Sequence, residues 1–568
     1  MKRAVLLLPF VLGLAACHNN VELHDIETSL VAANHAAGHA FGPEISTEDL
    51  AAHIKVLASD DFGGREPGSP GEEKTLRYLR EQLQRLGLAP GNGDSYFQTV
   101  PMLRTTLDTA HSTMSFRHGE KTEALVFGKQ MVIGTRSGQA AVAVPDSPVV
   151  FVGYGVNAPA MGWNDYAGLD VKGKTVLMLI NDPGFHSGDA SLFEGRRMTY
   201  YGRWTYKFEE AARQGAAAAI IIHDTAGAGY GWGVVENGWT GPQFDLPAKD
   251  DPEPRLPVQG WITGEAAQGL FADAGLDLEQ LRQAAGKRGF KPVALAGMRF
   301  DASLHSDIAA SQSRNVIAKL PGSKYPGEAI VYTAHWDHLG TRADEAGDNI
   351  YNGAIDNGSG LAGVLEIAEK FAVQDPKPER SLVFLLPTLE ESGLLGSKYY
   401  AAHPSVPLSK TVAVINLDDM PPIGRTRDLV AIGLGNSELD DLLQGVAERQ
   451  GRVLVAESSP EKGYFFRSDH FSFAKAGVPA LYAKGGTDLI EKGQAAGQAA
   501  LDDYTATRYH KPADQFDANW DLRGTVEDLD AIYLVGKTLS LNRDWPNYRK
   551  GNAFRAARDA SRKSAEGQ

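Results

Sequence analysis

After residue 315 the chain alternates between two kinds of apolar segment. Continuous apolar runs cover Ile330–Ala334, Leu382–Leu386 and Val412–Leu417, as expected for strands that are buried on both faces. Between the first two of these runs lies Leu361–Phe371, which reads as a buried helix. The alternation predicts a doubly wound α/β domain in which a mostly parallel sheet carries helices on both faces.

A second unit precedes this domain, between about residues 148 and 300. Its apolar runs, Val149–Val152, Thr175–Ile180 and Ala216–Ile222, are separated by turns of Gly, Asn and Asp. The runs predict a β-rich unit, and they carry no convincing catalytic cluster. Three aromatic residues of this unit either pack within it or form a wall of the substrate cleft: Tyr230, Trp232 and Trp239.

An amphipathic helix is predicted near the start of the folded chain. Ser69 is suited to cap its N-terminus, Pro70 to occupy the first helical position and Glu72 to complete a capping box. Leucines at positions 76, 79, 83 and 86 then share one face before Gly87 ends the helix. This face is expected to pack on the main domain.

The first twenty residues have the pattern of an export signal. Lys2 and Arg3 are followed by the apolar run Ala4–Leu14, which is too short for an ordinary membrane-spanning helix. The tetrapeptide that ends at Cys17 resembles a bacterial lipobox, which predicts a lipid-anchored protein facing the periplasm or the cell exterior. The alternative is an uncleaved or secreted signal with an incidental cysteine. Residues 18 to about 46 are expected to be a polar tether.

Composition narrows the chemistry that the folded part can perform. The chain has 568 residues, of which 43% are hydrophobic, and a formal net charge of -15, so at least two domains and no nucleic-acid partner are expected. Cys17 is the only cysteine. A thiol-based mechanism and a disulfide are therefore excluded for the mature body, which suits an oxidising compartment.

Acidic and imidazole side chains follow the predicted strands. Each of these side chains, taken alone, is commonly an incidental structural feature. Parallel strands, however, end at one edge of a sheet, and ligands bind at that edge in this fold class. Three carboxylates and two imidazoles there form a ligand set suited to two zinc ions, and the carboxylates would repel one another in a cleft without cations. The candidate residues are His335, Asp337, Asp356, Glu390, Glu391, Asp418 and His510.

Together these residues give the chain a specific resemblance. The motifs His335-x-Asp337, Asp356-Asn357-x-Ser359-Gly360, Glu390-Glu391, Asn416-x-Asp418 and His510 occur in the order found in metallopeptidase family twenty-eight, the di-zinc aminopeptidase family. Flanking matches extend the resemblance over most of the mature chain: Asn315-Val316-Ile317-Ala318, Pro321-Gly322, Arg467-Ser468-Asp469-His470 and Gly477-Val478-Pro479.

The resemblance implies a role for each residue. His335 and Asp418 would bind one zinc, Glu391 and His510 the other, and Asp356 would bridge both. Glu390 would be the general base, and Asp337 would orient His335. The resemblance also implies a cis peptide bond between Asp356 and Asn357, peptide substrates, and a supporting position for Asp469 and His470 beside the cleft. Tyr464 could stabilise an oxyanion, and Tyr509 is an equal candidate.

The second unit resembles the protease-associated domain that is inserted in many exopeptidases. The segments Val152–Gly155, Trp163–Tyr166 and Asp170–Lys174 carry this resemblance, which implies a lid or spacer beside the active site. The predicted organisation is a signal peptide (1–16), a tether (17–45), an N-terminal part of the catalytic domain (46–140), the protease-associated domain (141–305), the zinc peptidase domain (306–545) and a basic tail (546–568).

Several alternatives stay open. With its export signal and inserted domain, the chain resembles the aminopeptidase branch of the family more closely than a carboxypeptidase-like enzyme of the same fold. A non-catalytic binding or receptor protein would be expected to lack metal ligands, and a single-zinc cyclotransferase would be expected to lack the second ligand set. The basic tail either lies against an anionic membrane or the acidic body, or is solvated.

Overall fold

The computed structural model describes residues 39–342 and 347–566. The chain divides into two units, Met1–Phe41 and Gly42–Gln568, and every helix and strand of the described residues belongs to the second unit. The predicted signal peptide, Cys17 and most of the predicted tether lie outside the described residues. None of the helices in the described part is both long enough and apolar enough to cross a membrane.

Helices and strands are numbered in chain order. The helices are α1 (Thr47–Leu57), α2 (Pro70–Arg85), α3 (Pro183–Ser187), α4 (Trp204–Arg213), α5 (Thr225–Ala228), α6 (Trp232–Thr240), α7 (Gly264–Asp273), α8 (Leu278–Ala285), α9 (Gly360–Ala372), α10 (Leu395–Ala402), α11 (Leu439–Arg449), α12 (His470–Lys475), α13 (Gln494–Thr507), α14 (Arg523–Leu541) and α15 (Arg555–Glu566). The strands are β1 (Ala89–Pro90), β2 (Phe97–Leu107), β3 (Thr113–His118), β4 (Lys121–Glu123), β5 (Met131–Gly134), β6 (Ala141–Phe151), β7 (Asn157–Ala158), β8 (Trp163–Asn164), β9 (Thr175–Leu179), β10 (Ala218–Ile222), β11 (Gln243–Asp245), β12 (Val258–Ile262), β13 (Val293–Leu320), β14 (Tyr325–Thr333), β15 (Gly340–Thr341), β16 (Ile350–Tyr351), β17 (Arg380–Leu386), β18 (Thr411–Asn416), β19 (Asp428–Ala431), β20 (Val453–Ala456) and β21 (Ala480–Gly485).

The central sheet is mixed, with a parallel middle. Its strands run in the order β11-β2-β13-β17-β14-β18-β21-β19-β20, and the consecutive strands β17, β14, β18 and β21 are parallel. The three apolar runs predicted as strands of this domain lie in β14, β17 and β18, and the run at Leu361–Phe371 forms most of α9. The predicted α/β domain is confirmed.

Alternate residues of β14 face opposite sides of this sheet. Ile330 and Tyr332 belong to a hydrophobic cluster that includes residues of α1, α2, α9 and α14, whereas Val331 packs with Tyr400 of α10 and Phe473 of α12. Helices therefore cover both faces, and a strand buried on both sides must be apolar at every position.

A second sheet forms the core of a lobe that we call the insert lobe, residues 113–304. Its strands run in the order β4-β3-β13-β6-β9-β10-β12-β5, with β6, β9, β10 and β12 parallel. The lobe also contains the short helices α3–α8, which the apolar runs did not predict. Strands β3–β5 precede residue 141, so the sheet begins earlier in the chain than the predicted domain boundary. All three strands are short, and β3 and β4 are partly polar, so the apolar runs did not reveal them.

One strand joins the two sheets. Residues 298–303 of β13 pair with β3, whereas residues 306–316 pair with β2 of the central sheet. The insert lobe is therefore held beside the central sheet by continuous backbone.

Helix α2 forms as predicted, with one change at its cap. Ser69 Oγ accepts hydrogen bonds from the backbone N–H groups of Gly71 and Glu72, at 3.1 and 3.4 Å. The Glu72 carboxylate accepts from the N–H of Gly68 at 2.6 Å rather than from that of Ser69, and it also pairs with Arg314. The capping glutamate thus ties the helix to β13.

The basic C-terminal segment contains a helix that packs on the body. The buried Arg558 of α15 donates to the carbonyls of Thr411 and Val412 at 2.9 and 3.0 Å, and the Arg562 guanidinium lies 3.5 Å from the Trp545 ring centroid. Of the two expectations for this segment, contact with the body is confirmed over the described residues.

Candidate metal centre

The carboxyl ends of three neighbouring strands supply most of the site. His335 lies two residues beyond β14, Asp418 two residues beyond β18, and Glu390 and Glu391 follow β17. Because these strands are adjacent and parallel, their ends meet at one edge of the sheet, as the sequence predicts.

Asp356 is held by the loop that leads into α9. The Asp356–Asn357 peptide bond is cis, so that prediction is confirmed. Gly353 has φ of 56°, and a Cβ there would lie 2.1 Å from the Asp356 carbonyl oxygen, so only glycine fits. Asn357 Nδ2 donates to the carbonyl of Leu417 at 3.0 Å, which fastens this loop to the end of β18.

Two charged residues that the sequence analysis gave no role hold the same loop. The Asp514 carboxylate accepts from the backbone N–H groups of Ile355 and Asp356, each at 3.1 Å. The fully buried Arg65 donates to four carbonyls, those of Leu57, Trp336, Asn352 and Gly353. The fork of Arg65 thereby joins α1, the segment that bears His335 and the Asp356 loop.

The five predicted ligands converge. His335 Nε2 lies 3.3 Å from Asp356 Oδ1 and 3.4 Å from Asp418 Oδ1. His510 Nε2 lies 3.1 Å from Asp356 Oδ2 and 3.2 Å from Glu391 Oε2. The two oxygens of Asp356 therefore face two different histidines, each of which has a second carboxylate beside it.

The tautomer of His335 suits metal binding. Its Nδ1 lies 3.1 Å from the backbone carbonyl of Asp337, and a carbonyl can only accept, so the proton is on Nδ1. Nε2, which faces the carboxylates of Asp356 and Asp418, is then the ring nitrogen that is available to a metal ion.

Asp337 lies in the site but contacts different atoms than predicted. Its carboxylate is 3.9 Å from His335 Nδ1 and accepts from the backbone N–H groups of Glu390 at 3.1 Å and Glu391 at 3.4 Å. The side chain thus positions the pair of glutamates, while its own backbone carbonyl orients His335. The catalytic role of Asp337 stays a prediction.

Glu390 has the surroundings of a proton acceptor and donor. Its Oε2 lies 4.0 Å from His335 Nε2, farther than either carboxylate that faces this nitrogen. Burial raises the pKa of Glu390 well above its ordinary value; His335 opposes this shift, and Glu391 and Asp418 add to it. A carboxylate whose pKa is raised accepts a proton more readily than an exposed one and can return it afterwards.

His338 is a further member of the site that the sequence analysis missed. The buried ring places Nδ1 2.6 Å from Glu391 Oε1 and 4.0 Å from Asp356 Oδ2. The signal in the sequence is a second histidine three residues after His335, in His-Trp-Asp-His. Donor atoms of His338, Asp356 and Glu391 lie within 4.8 Å of one another, as do those of His335, Glu390 and Asp418.

The remaining candidates lie around this centre. Tyr464 is 38% exposed on the cavity wall with the Arg467 guanidinium 5.5 Å from its ring, while Tyr509 stacks on the His510 ring at 4.0 Å. Asp469 and His470 are buried, and burial lowers the pKa of His470 to about 4. A neutral, enclosed imidazole agrees with a supporting position for His470.

The centre opens into a cavity of about 1470 Å³ between the central sheet and the insert lobe. Arg203, Trp204 and Phe208 line it from the lobe. The aromatic residues Tyr230, Trp232 and Trp239 pack against the hydrophobic cluster of that lobe, which confirms the packing alternative for them. A cavity of this size exceeds the roughly 300–1,000 Å³ of ordinary small-ligand pockets, so it accommodates a peptide.

The donor set of the centre fits zinc. Imidazole nitrogens and carboxylate oxygens are zinc ligands, and here they are buried, convergent and rich in negative charge. Fold and site together define a metal-dependent hydrolase of the α/β class.

Comparison with known proteins relates part of the chain to one peptidase family. Residues 315–533 match the family model "Peptidase family M28". Carboxypeptidase Q of Xenopus laevis is 26% identical over 76% of this chain and 78% of its own length. Leupeptin-inactivating enzyme 1 of Streptomyces exfoliatus is 30% identical over 33% of this chain and 40% of its own. The match relates residues 315–533 of the chain to peptidase family M28, whose members depend on zinc, and the protein is a metallopeptidase.

Two solved structures are similar to this chain. An aminopeptidase from Aneurinibacillus sp. strain AM-1 matches with a TM-score of 0.45 and 23% identity, over 89% of this chain and 95% of its own. A zinc aminopeptidase from Bacillus subtilis matches with a TM-score of 0.41 and 18% identity, over 90% and 100%.

Proposed function

We propose that this chain is an aminopeptidase that works with two zinc ions. His335 and Asp418 would hold one ion, Glu391 and His510 the other, and Asp356 would be shared. The observation that carries this assignment is the placement of Asp356, whose Oδ1 and Oδ2 lie 3.3 and 3.1 Å from the Nε2 atoms of His335 and His510.

When bound, zinc supplies Lewis-acid activation of water and of the scissile carbonyl. The chain's own residues handle the proton. Glu390 accepts a proton from the attacking water and returns it to the leaving amine, and Asp337 holds the backbone of Glu390 in place through its N–H. Tyr464, on the cavity wall, is the proposed donor to the oxyanion.

Recognition of the substrate's amino end is assigned to Asp419. This residue lines the cavity next to Asp418, and Tyr504 Oη donates to its Oδ1 at 3.1 Å. Two zinc ions would offset the charges of Asp356, Glu391 and Asp418, which leaves Asp419 as an additional carboxylate beside the centre. A substrate α-ammonium group complements it, and this supports the aminopeptidase over the carboxypeptidase alternative.

A carboxypeptidase of the same fold is the alternative to an aminopeptidase that one observation favours. The frog relative that aligns with most of this chain is named carboxypeptidase Q. A carboxypeptidase would cleave a peptide whose amino end is acetylated and would fail on one whose carboxyl end is amidated.

The test combines metal content with end-blocked substrates. Zinc per chain is measured on the purified protein, and hydrolysis of one tetrapeptide is compared with that of its N-acetylated and its C-amidated copies, before and after chelation. We expect about two zinc ions, and chelator-sensitive cleavage of the free and amidated copies only. Cleavage of the acetylated copy would show a carboxypeptidase, and no zinc with no cleavage after zinc addition would indicate a binding protein. Asp419→Asn should raise KM for the free-amino peptide without loss of zinc.

We further propose that the protein is exported and lipid-anchored through Cys17, and that the insert lobe is a protease-associated domain. The signal-like pattern that ends at Cys17 supports the first proposal, and the position of the lobe on the cavity wall supports the second. Cys17→Ser should release the protein from the membrane fraction, with peptidase activity unchanged. Membrane association that persists in this variant would contradict the anchor.

A further inference from the structure

Several of the cationic side chains that line the cavity are paired with carboxylates. Most of those from the insert lobe and α10–α12 are neutralised by carboxylates: Arg255 lies 2.6 Å and Lys398 2.8 Å from Asp251, and Lys475 lies 2.8 Å from Glu209. The pairs of Lys398 and Lys475 join the lobe to the central domain, whereas that of Arg255 lies within the lobe. These three cations leave little positive charge available to a ligand.

Arg203 and Arg467 are not paired in this way. Both line the cavity, Arg203 from the insert lobe and Arg467 from the segment before α12. Within residues 39–342 and 347–566 neither guanidinium has a carboxylate within 4.0 Å, and the Nε atom of each is buried without a hydrogen-bond partner. Arg467 Nη2 donates to the carbonyl of Lys462 at 2.7 Å, which fixes its orientation.

Arg203 and Arg467 lie close enough for the charge of Arg467 to act on Arg203. The pKa of Arg203 is lowered to about 9, first by burial and then by Arg467, while Tyr230 opposes the shift. The ring of Tyr230 lies 6.0 Å from the Arg467 guanidinium. A desolvated guanidinium beside a like charge is unfavourable without a counter-ion, and an anion bound there removes that cost.

The pair also lies within peptide reach of the metal centre. Arg467 precedes Ser468, whose Oγ accepts from Asn416 Nδ2 at 2.8 Å, and Asn416 is two residues before Asp418. The guanidinium groups and the zinc ligands line the same cavity. A group bound by the pair and a bond at the centre can therefore belong to one short peptide.

We propose that Arg203 and Arg467 form a carboxylate-binding subsite that selects peptides bearing a carboxylate near the scissile bond. The planar fork of arginine matches a carboxylate in two parallel hydrogen bonds, which is why arginine suits this role better than lysine. This inference rests on the proposed peptidase function, although not on which end of the peptide is attacked. Two sources provide the same chemistry, the C-terminal carboxylate of a short peptide and an acidic side chain.

The kinetic test uses the zinc-loaded, full-length protein and matched substrates. Di-, tri- and tetrapeptides of alanine are compared as free acids and as C-terminal amides, and amidated peptides with Asp are compared with Asn copies at each position after the scissile bond. We expect the carboxylate copy at one position to have a KM about 10- to 100-fold lower than its neutral copy. A preference in the first series identifies the C-terminal carboxylate, and one in the second an acidic side chain.

The variants locate the preference. Arg203→Gln and Arg467→Gln should each abolish it while hydrolysis of the neutral copies is retained, and Arg467→Lys should restore only part. Lys249→Gln, which removes one charge from a side chain that is 82% exposed on the same lobe, is the matched control and should leave the preference intact. Equal KM values for charged and neutral copies in the unmodified protein, or a preference that survives both glutamine variants, would overturn the subsite.

A binding measurement separates this inference from the proposed function. Calorimetric titration of the unmodified protein and Arg467→Gln with N-acetyl-trialanine, as acid and as amide, reports the subsite without turnover. If no peptide is hydrolysed but the acid binds more tightly than the amide only in the unmodified protein, the proposed function fails and the subsite stands. If peptides are hydrolysed but acid and amide bind equally, the subsite alone fails.

Discussion

Two buried groups of charged residues in this molecule have opposite characters. In the insert lobe, Lys207 lies near Asp182 and Asp165, so that cation and carboxylates share one interior. In the metal centre three ligand carboxylates and Glu390 converge, and over the described residues their ion-pair partners are histidines. The first group balances much of its own charge, whereas the second leaves negative charge for cations from outside.

Hydrogen bonding separates the two groups further. Asp165 accepts from the N–H of Val156 at 2.9 Å and from Trp163 Nε1 at 2.7 Å, and Lys207 Nζ donates to the carbonyl of Tyr154 at 2.5 Å. Asp182 accepts from Gly184 and Thr199. Most of these groups are satisfied by protein atoms, so the lobe cluster is structural. In the metal centre the carboxylate oxygens instead face histidine nitrogens across a shared space. This is the arrangement of a binding site.

Of the replacements that test this difference, that of Asp356 should have the largest effect on zinc content and activity. Asp356→Asn removes the charge that both histidines face, so zinc and activity should be lost together, with turnover below about a thousandth of the original. Metal analysis and peptide hydrolysis of the same preparation check this. Two zinc ions per chain in an active variant would contradict the shared position of Asp356.

The neighbouring glutamates should respond differently from each other. Glu390→Gln keeps the ligands but removes the proton acceptor, so zinc content should stay unchanged while kcat falls by about 100- to 10,000-fold. Glu391→Gln is the matched comparison, and it should lower zinc content. If Glu390→Gln is fully active, the general base has been assigned to the wrong residue.

The contrast between the two groups also shows what the sequence could predict. Apolar runs predicted β14, β17 and β18, and each of these strands is followed by a proposed ligand. The ligands could be found because the end of a buried parallel strand is visible in the sequence pattern. Arg65 and Asp514 could not be found this way, since they act through backbone groups of the Asp356 loop that are distant in sequence. His338 was missed because its role depends on how the chain bends after β14.

Replacement of Lys207 in the lobe cluster should change stability but not function. Lys207→Met leaves Asp165 and Asp182 without the nearby cation and removes the hydrogen bond to Tyr154, which should cost about 3 kcal/mol of unfolding free energy. Thermal unfolding measures this loss, while zinc content and kcat of the folded fraction should be unchanged. Lys249→Met on the exposed face is the control. An unchanged melting temperature for Lys207→Met would show that the cluster does not depend on its cation.

The smallest effect is expected for His338, and it tests whether this residue binds a metal ion or only positions a metal ligand. Its Nδ1 holds Glu391 Oε1 at 2.6 Å, while Glu391 Oε2 faces His510 at 3.2 Å, so His338 fixes which oxygen remains for the metal. His338→Phe should keep two zinc ions at saturation but weaken zinc binding by about 10- to 100-fold, and His338→Gln, whose amide can donate to the same oxygen, should recover part of it. Zinc titration with a competing chelator measures both. If His338 is itself a ligand, its replacement should instead remove one zinc ion per chain at saturation. Both the His338 and the His510 rings lie beside Asp356 and Glu391, and one of them is enough to complete the second metal site. Loss of a zinc ion would therefore assign His338, rather than His510, to that site.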